Sequence, residues 1–384
     1  VSDPIARPQA FVYLETQTDF DRFADRLAGT ALLAVDTEAA SFHRYRDRIY
    51  LIQLSTRELT AVLDPLAIHD LGSLERLLGD PDIETVFHDA DYDLRILNRD
   101  YGFAAARLFD TRIAAQLLNE PGIGLAALLQ KYLGVTLDKK FQRADWSMRP
   151  LQPGMLEYAA DDTRYLPQLR DLLREQLGAA GRWRWAEEEF RLLEQVRWVP
   201  TGPPEEAFLR LKGARALKGH QLAVLKEVFD WRERMAAQLD RAPFRVLMNE
   251  ALLAIAKAMP ADEDALRDLR VLSADQLRRR GTDLLEAVSR GVVAPLNKLP
   301  VFERTRRPPP DLAYEARLER LKGARNLIAE HLPLAPGVLC PNGILEAIAR
   351  AEPRTLEDLE PIEGMRQWQR EVLGKELLAA SLGT

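Results

Sequence analysis

The 384-residue sequence predicts a mixed β-sheet flanked by helices, followed by two small all-α domains. Three observations carry that prediction. Short apolar runs alternate with helical patterns through the first half, and a Pro/Gly-rich stretch, "VPTGPPEE", interrupts the chain at 199–206. The second half then shows helical periodicity, an internal repeat and no convincing strand.

Taken in order, "AFVYLET" (10–16), "TALLAVDTE" (30–38), "RIYLIQLST" (48–56), "LTAVLDP" (59–65) and "IETVFHD" (83–89) read as strands. They are rich in Val, Ile, Tyr and Leu and are bounded by turn residues. Between them "TDFDRFADRLAG", with a Thr start, "HDLGSLERLLGD" and "DYDLRILNRDYG" have helical spacing. From about 113 to 193 the pattern reads as almost wholly helical. Beyond the linker, "RLKGAR" occurs at 210–215 and again at 320–325, and "LLAIAKAMP" (252–260) is echoed by "ILEAIARAEP" (344–353). The two echoes are 110 and 93 residues apart, so the later copy is expected to be about 17 residues shorter between them. The resulting division is 1–198, 207–292 and 310–384.

Composition narrows the class. The net charge is −6, with residues 1–200 carrying 24 basic against 32 acidic side chains and residues 201–384 carrying 29 against 27. An acidic first half is either a solvated surface or a holder of divalent cations. No apolar run approaches the roughly 20 residues that span a bilayer, and the N-terminal residues show no basic-then-apolar leader pattern. A single cysteine, Cys340, excludes an intrachain disulfide framework and fits a reducing, cytoplasmic setting.

The chemistry lies in carboxylates set among apolar residues. Asp36 and Glu38 are two apart at the end of an apolar strand, so both side chains share one face. In "TVFHDADYDLRIL" (85–97), Asp93 shares a helix face with Ile96 and Leu97, while Asp91 reads as an N-cap. His88 has no second histidine near it in sequence, so a local hydrogen bond outweighs metal ligation. In "PGMLEYAADDTRYLPQLRDLL" (153–173), Asp162 falls inside the apolar stripe, Asp161 falls outside it, and Tyr158 lies one turn before Asp162. Four inward acids cannot all ionise in one apolar place without cations. Oxygen-only ligands suit Mg²⁺ or Mn²⁺, and a pair of such ions about 4 Å apart serves phosphoryl displacement.

These residues, in this order, resemble the DEDD superfamily of exonucleases, in its tyrosine-type branch. The motifs are "VDTE" (35–38), "FHDADYDL" (87–94) and "YAADD" (158–162), and the stretches "FDTRIAAQLL" (109–118) and "LDKKFQRADWSMRPL" (137–151) resemble the ribonuclease D family in particular. The resemblance implies a ribonuclease H-like fold. It also implies a 3′-to-5′ exoribonuclease that releases nucleoside 5′-monophosphates, with single-stranded 3′ ends of tRNA or other stable-RNA precursors as substrates. By the same resemblance Asp36, Glu38, Asp93 and Asp162 hold two divalent cations, Mg²⁺ or Mn²⁺, and Tyr158 orients or helps deprotonate the attacking water. Gln53, His88, Lys140, Gln142 and Arg149 are the expected RNA contacts.

The helical repeats are similar to the helicase-and-ribonuclease-D C-terminal (HRDC) domain. The first copy is the better match, and the second reads as lacking the "WRER" (231–234) equivalent. Lys212, Arg215, Lys322 and Arg325, "RRR" (278–280) and "RTRR" (304–307) are candidate phosphate contacts, and Trp231 is expected in the core. Ala39 and Ala40 stand where the family usually places bulky residues. No membrane association or obligate protein partner is implied. The competing readings are a DNA 3′-to-5′ exonuclease and an inactive RNA-binding scaffold; the lack of a G-x-x-x-x-G-K-[ST] loop argues against a helicase.

Overall fold

The apolar runs of the first half form a single six-stranded sheet. Its strands are β1 (Phe11–Leu14), β2 (Leu32–Ala39), β3 (Ile49–Ser55), β4 (Thr60–Leu63), β5 (Glu84–Phe87) and β6 (Leu108–Asp110), in the spatial order β1-β4-β3-β2-β5-β6. β3 runs antiparallel to both β2 and β4, and the other pairings are parallel. The computed structural model describes residues 10–200, 202, 204–302 and 311–383. β6 was not legible as a strand: it is three residues long, too short for alternation to register, and its last residue already caps a helix.

Helices α1 (Gln17–Arg26), α2 (Gly72–Gly79), α3 (Asp91–Tyr101), α4 (Thr111–Leu117), α5 (Leu125–Leu133), α6 (Pro153–Arg164), α7 (Leu166–Ala179) and α8 (Trp183–Leu193) complete this domain. Thr16, rather than Thr18, caps α1 by accepting the Asp19 amide at 3.2 Å. The expected cap role of Asp91 is also corrected. Ala90 is the N-cap of α3, and Asp91 sits inside the first turn, where it pairs with Arg95 at 2.7 Å. The interval 113–193 is not continuous helix either: residues 134–152 are turns and irregular backbone between α5 and α6. Asp138 and Asp145 accept amide hydrogens two residues on, from Lys140 and Ser147, which favours turns over helix.

The second half holds two helical units with the same order of parts, except that a 3₁₀ turn at Glu357–Leu359 stands in the second where the first has a fourth helix. The first is α9 (His220–Leu239), α10 (Pro243–Val246), α11 (Asn249–Ala258), α12 (Glu263–Asp268) and α13 (Ala274–Val292). The second is α14 (Leu312–His331), α15 (Pro336–Leu339), α16 (Asn342–Ala351) and α17 (Gln367–Leu382). The starts of α15, α16 and α17 lie 93 residues after those of α10, α11 and α13, and a buried arginine fixes the register. Arg232 donates to the Leu247 carbonyl and to Asn249, and Arg325 donates to the Cys340 carbonyl and to Asn342.

The "RLKGAR" echo is therefore not the structural repeat. Its first occurrence covers the end of a 3₁₀ segment and a turn ahead of α9, whereas the second lies inside α14. The expected 17-residue shortening disappears. The later copy also keeps the arginine of "WRER", as Arg325. Arg325 is buried, so its guanidinium holds the α14–α16 corner and does not meet phosphate. Lys212 and Arg215 are exposed, Lys322 pairs with Glu319, and Arg278 and Arg279 pair with Asp275. Arg304 to Arg307 lie outside the described residues. Trp231 is in the core of its unit.

Candidate active site

β2 ends with the two acids, and the local structure explains their placement. Leu32 to Val35 are buried, and the strand continues through Asp36, Thr37 and Glu38 to Ala39. The register against β3 shifts between Glu38 and Ala39, a bulge at the point where the chain leaves the sheet. Asp36 and Glu38 face α6, which brings Asp162 to them. Asp36, Glu38 and Asp162 each offer one carboxylate oxygen, and these oxygens lie within 4.8 Å of one another.

Asp93 is buried beside them on the first turn of α3, but its carboxylate accepts a short hydrogen bond from the Thr37 hydroxyl. Thr37 lies between its two acidic neighbours on β2 and lines the same cavity, so its hydroxyl holds the fourth acid against the site. Its role was invisible in the sequence, where a threonine between two acids reads only as a strand former.

Electrostatics describe a site short of positive charge. Burial, then Asp162, raises the Asp36 carboxyl well above its ordinary range; burial, then Asp36, Asp162 and Asp93, does the same to Glu38. Asp93 is raised by burial and by Asp36, and Asp162 is pushed up to about 7 by burial, Asp161 and Asp93. An all-oxygen donor set with unrelieved repulsion fits a hard divalent cation. Among the described residues it is the one group of three or more candidate ligands.

Tyr158 projects from α6 one turn before Asp162. Its phenol is driven further up by burial and by the three carboxylates, so it stays protonated at neutral pH. Its ring sits between Trp146, at 6.0 Å, and Phe141, edge-on at 6.2 Å. Two adjoining cavities open here. One of about 490 Å³ is lined by Asp36, Glu38, His88, Gln142, Tyr158 and Asp162. The other, about 520 Å³, is lined by Lys140, Phe141, Tyr158 and Asp162 among others.

His88 places Nδ1 2.9 Å from the Thr111 hydroxyl, and that hydroxyl donates its own hydrogen to the Phe87 carbonyl at 3.1 Å. The Nδ1 must therefore donate, leaving Nε2 as an acceptor. Burial lowers the imidazole to about 4, so it is neutral under ordinary conditions.

Two expected contacts are corrected. Gln53 is fully buried opposite Asp36 in the β2–β3 register, with neither end of its amide hydrogen-bonded. Arg149 is committed to structure: it pairs with Asp64 at 2.5 Å and donates to the carbonyls of Tyr50, Trp146 and Met148. An apolar run hides Gln53's burial, and no local pattern announces that an arginine will be used to clip a loop. Ala40 is buried in the cluster that contains Trp146, while Ala39 remains partly exposed.

Known proteins resemble the chain along nearly its whole length. A family described as 3′-5′ exonuclease matches residues 11–178, and the HRDC domain family matches 221–288 and 315–380. The chain is 33% identical to a ribonuclease D of Gluconacetobacter diazotrophicus, over 97% of this chain and 93% of that protein. It is 36% identical to the ribonuclease D of Escherichia coli, over 70% of this chain and 71% of that protein. The crystal structure of the Escherichia coli RNase D, described as an exoribonuclease involved in structured RNA processing, superposes with a TM-score of 0.71. That match has 28% identity and covers 98% of this chain and 99% of the other.

Proposed function

The chain belongs to the ribonuclease D family of 3′-to-5′ exoribonucleases, and from that premise we propose that its acid cluster is the catalytic centre. Asp36, Glu38, Asp93 and Asp162 hold two divalent cations, Mg²⁺ or Mn²⁺, and Tyr158 positions the attacking water. The observation that carries this reading is the convergence of three half-buried carboxylates beside a protonated tyrosine, in a cavity open to substrate.

When bound, the cations supply positive charge to the scissile phosphate and lower the barrier to attack by water. The chain's own groups do the rest. The water oxygen bonds to phosphorus, the bond to the 3′-oxygen breaks, and a nucleoside 5′-monophosphate leaves an RNA one residue shorter with a free 3′-hydroxyl. The Tyr158 phenol, held neutral, aligns the water as a hydrogen-bond partner and is a poor base. Thr37 keeps Asp93 in place until charge arrives. His88 Nε2, an acceptor by its fixed tautomer, suits a ribose hydroxyl of the terminal nucleotide. Lys140 and Gln142 line the cavities where the backbone of the strand enters.

The substrates proposed are single-stranded 3′ ends of tRNA and other stable-RNA precursors. The location proposed is the cytoplasm, in keeping with a lone, buried cysteine. Digestion of 5′-labelled RNA with Mg²⁺, beside EDTA and an Asp36→Asn variant, tests the centre. Both EDTA and the substitution should lower the rate by more than about 100-fold, the upper end of what outer partners of a metal site cost. Undiminished activity under either condition overturns the assignment.

A further inference from the structure

The bulge after Glu38 launches a segment, residues 40–45, that leaves the sheet and ends on the first helical unit. Its backbone is held there: the Ala242 amide donates to the His43 carbonyl at 3.2 Å, and Arg245 Nε donates to the Phe42 carbonyl at 2.5 Å. Arg44 reaches Asp240 at 3.4 Å and Ser147 at 2.5 Å, and Tyr45 packs into the helical unit's core. These locks leave one large side chain from each domain in solvent. Phe42 is 54% exposed and Phe244 is 41% exposed, with their rings edge-to-face at 6.2 Å. Rings held in place by this many polar contacts still leave about half of their apolar surface in water, where it contributes nothing to folding.

The surroundings say what would cover them. The Arg143 guanidinium is 6.0 Å from the Phe42 ring, and that of Arg245 is 5.9 Å from Phe244. Segments 41–48, 139–149 and 240–245, which meet here, contain nine Lys and Arg against three Asp, in a chain whose net charge is −6. The patch is continuous with the acid cluster: Arg143 follows Gln142, which lines the cavity with Asp36 and Glu38, and Phe42 lies four residues after Glu38. Exposed rings beside guanidinium groups make a surface for flat bases joined by phosphates.

We infer that Phe42 and Phe244 form a base-stacking platform, shared between the catalytic domain and the first helical unit, for single-stranded RNA upstream of the terminal nucleotide. The rings take the faces of successive bases without choosing among them, and Arg143 and Arg245 take the phosphates between. This inference rests on the catalytic reading above, because the strand is placed by its 3′ end in the acid cluster.

The test uses the full chain and two probes. Affinity for a 5′-fluorescein single-stranded 12-mer RNA is read by anisotropy in EDTA. Hydrolysis of a nitrophenyl ester of a nucleoside 5′-monophosphate with Mg²⁺ reports on the centre alone. Phe42→Ala and Phe244→Ala should each weaken 12-mer binding about tenfold, the scale of one lost stacking contact, while ester hydrolysis stays within about twofold. Phe42→Trp should bind the 12-mer like the parent, and Phe42→Leu should not. Parent-like binding by both alanine variants overturns the platform, as does equal rescue by Leu and Trp, or a fall in ester hydrolysis matching the fall in binding. Should Asp36→Asn hydrolyse the ester at the parent rate, the catalytic reading has failed instead, whatever the two phenylalanine variants do.

Discussion

At the scale of single residues, the site is an electrostatic problem with a defined sign. Asp36, Glu38, Asp93 and Asp162 have carboxyls raised by burial and repulsion, Asp162 to about 7, so without cations the native state holds protons that the unfolded chain releases near pH 4. From that pH up to the raised values the native state binds more protons than the unfolded one, and stability falls as pH rises. His88 acts the other way: its lowered pKa removes stability as pH drops from about 6.5 toward 4. One imidazole is outweighed by several carboxyls. Thermal melts in EDTA should therefore show a higher Tm at pH 6 than at pH 8, and Asp36→Asn should flatten the difference. Adding Mn²⁺ should raise Tm more at pH 8 than at pH 6; a melt indifferent to pH and metal would contradict the account. Tyr158→Phe keeps the ring against Trp146 and Phe141 but loses the hydroxyl. Its kcat should fall about 100-fold, the lower range for a positioned proton-transfer or water-orienting group, with KM and Tm nearly unchanged.

At the scale of elements, the acids were readable because they broke the pattern of the strand or helix carrying them. Asp36 and Glu38 interrupt an apolar strand, and Asp162 interrupts an apolar helix stripe. What escaped was set by contacts distant in sequence. β6 is three residues whose identity as a strand comes from pairing with β5. Asp110, read in the sequence only as part of a motif, caps α4 and accepts the Ala90 amide at 2.7 Å, tying the start of α3 to the edge of the sheet. Gln53 and Arg149 have the residue types of RNA contacts, and only packing assigns the first to the interior and the second to an ion pair with Asp64. The helical units depend on equally close fits: a Cβ on Gly291 would lie 2.5 Å from the Val224 Cα, where α13 crosses α9. Gly291→Ala should destabilise the first helical unit by about 1–3 kcal/mol, the usual cost of overpacking, as read by chemical denaturation. An unchanged denaturation midpoint would show that the crossing can open at no cost.

At the scale of the whole molecule, two units with one internal register attach to the catalytic domain by different means. The first touches it through the segment after Glu38, close to the acids, and otherwise keeps its own core. The second is continuous with the catalytic core through α8. Trp185 stacks on Trp368 at 4.7 Å, and Glu188 accepts the amides of Gln367 and Trp368 at the start of α17. Glu189 pairs with Arg366 at 3.0 Å and accepts the Trp368 indole at 3.0 Å. The sequence showed that there were two copies but misplaced their register, because a chance hexamer outweighed an arginine–asparagine pairing that only the fold displays. Trp368→Ala should cost about 3–5 kcal/mol, the range for a buried tryptophan. Limited proteolysis should then attack the second unit while the acid cluster still binds Mn²⁺. Protease resistance equal to the parent's would mean that α17 is held by other contacts.

The central claim is that four carboxylates from β2, α3 and α6 form one binding site for catalytic cations, and counting the cations tests it most directly. Calorimetric titration of the metal-free chain with Mn²⁺ should give two ions per chain, falling to one or none in Asp36→Asn. An Asp36→Asn variant that binds two ions as tightly as the parent would contradict the account.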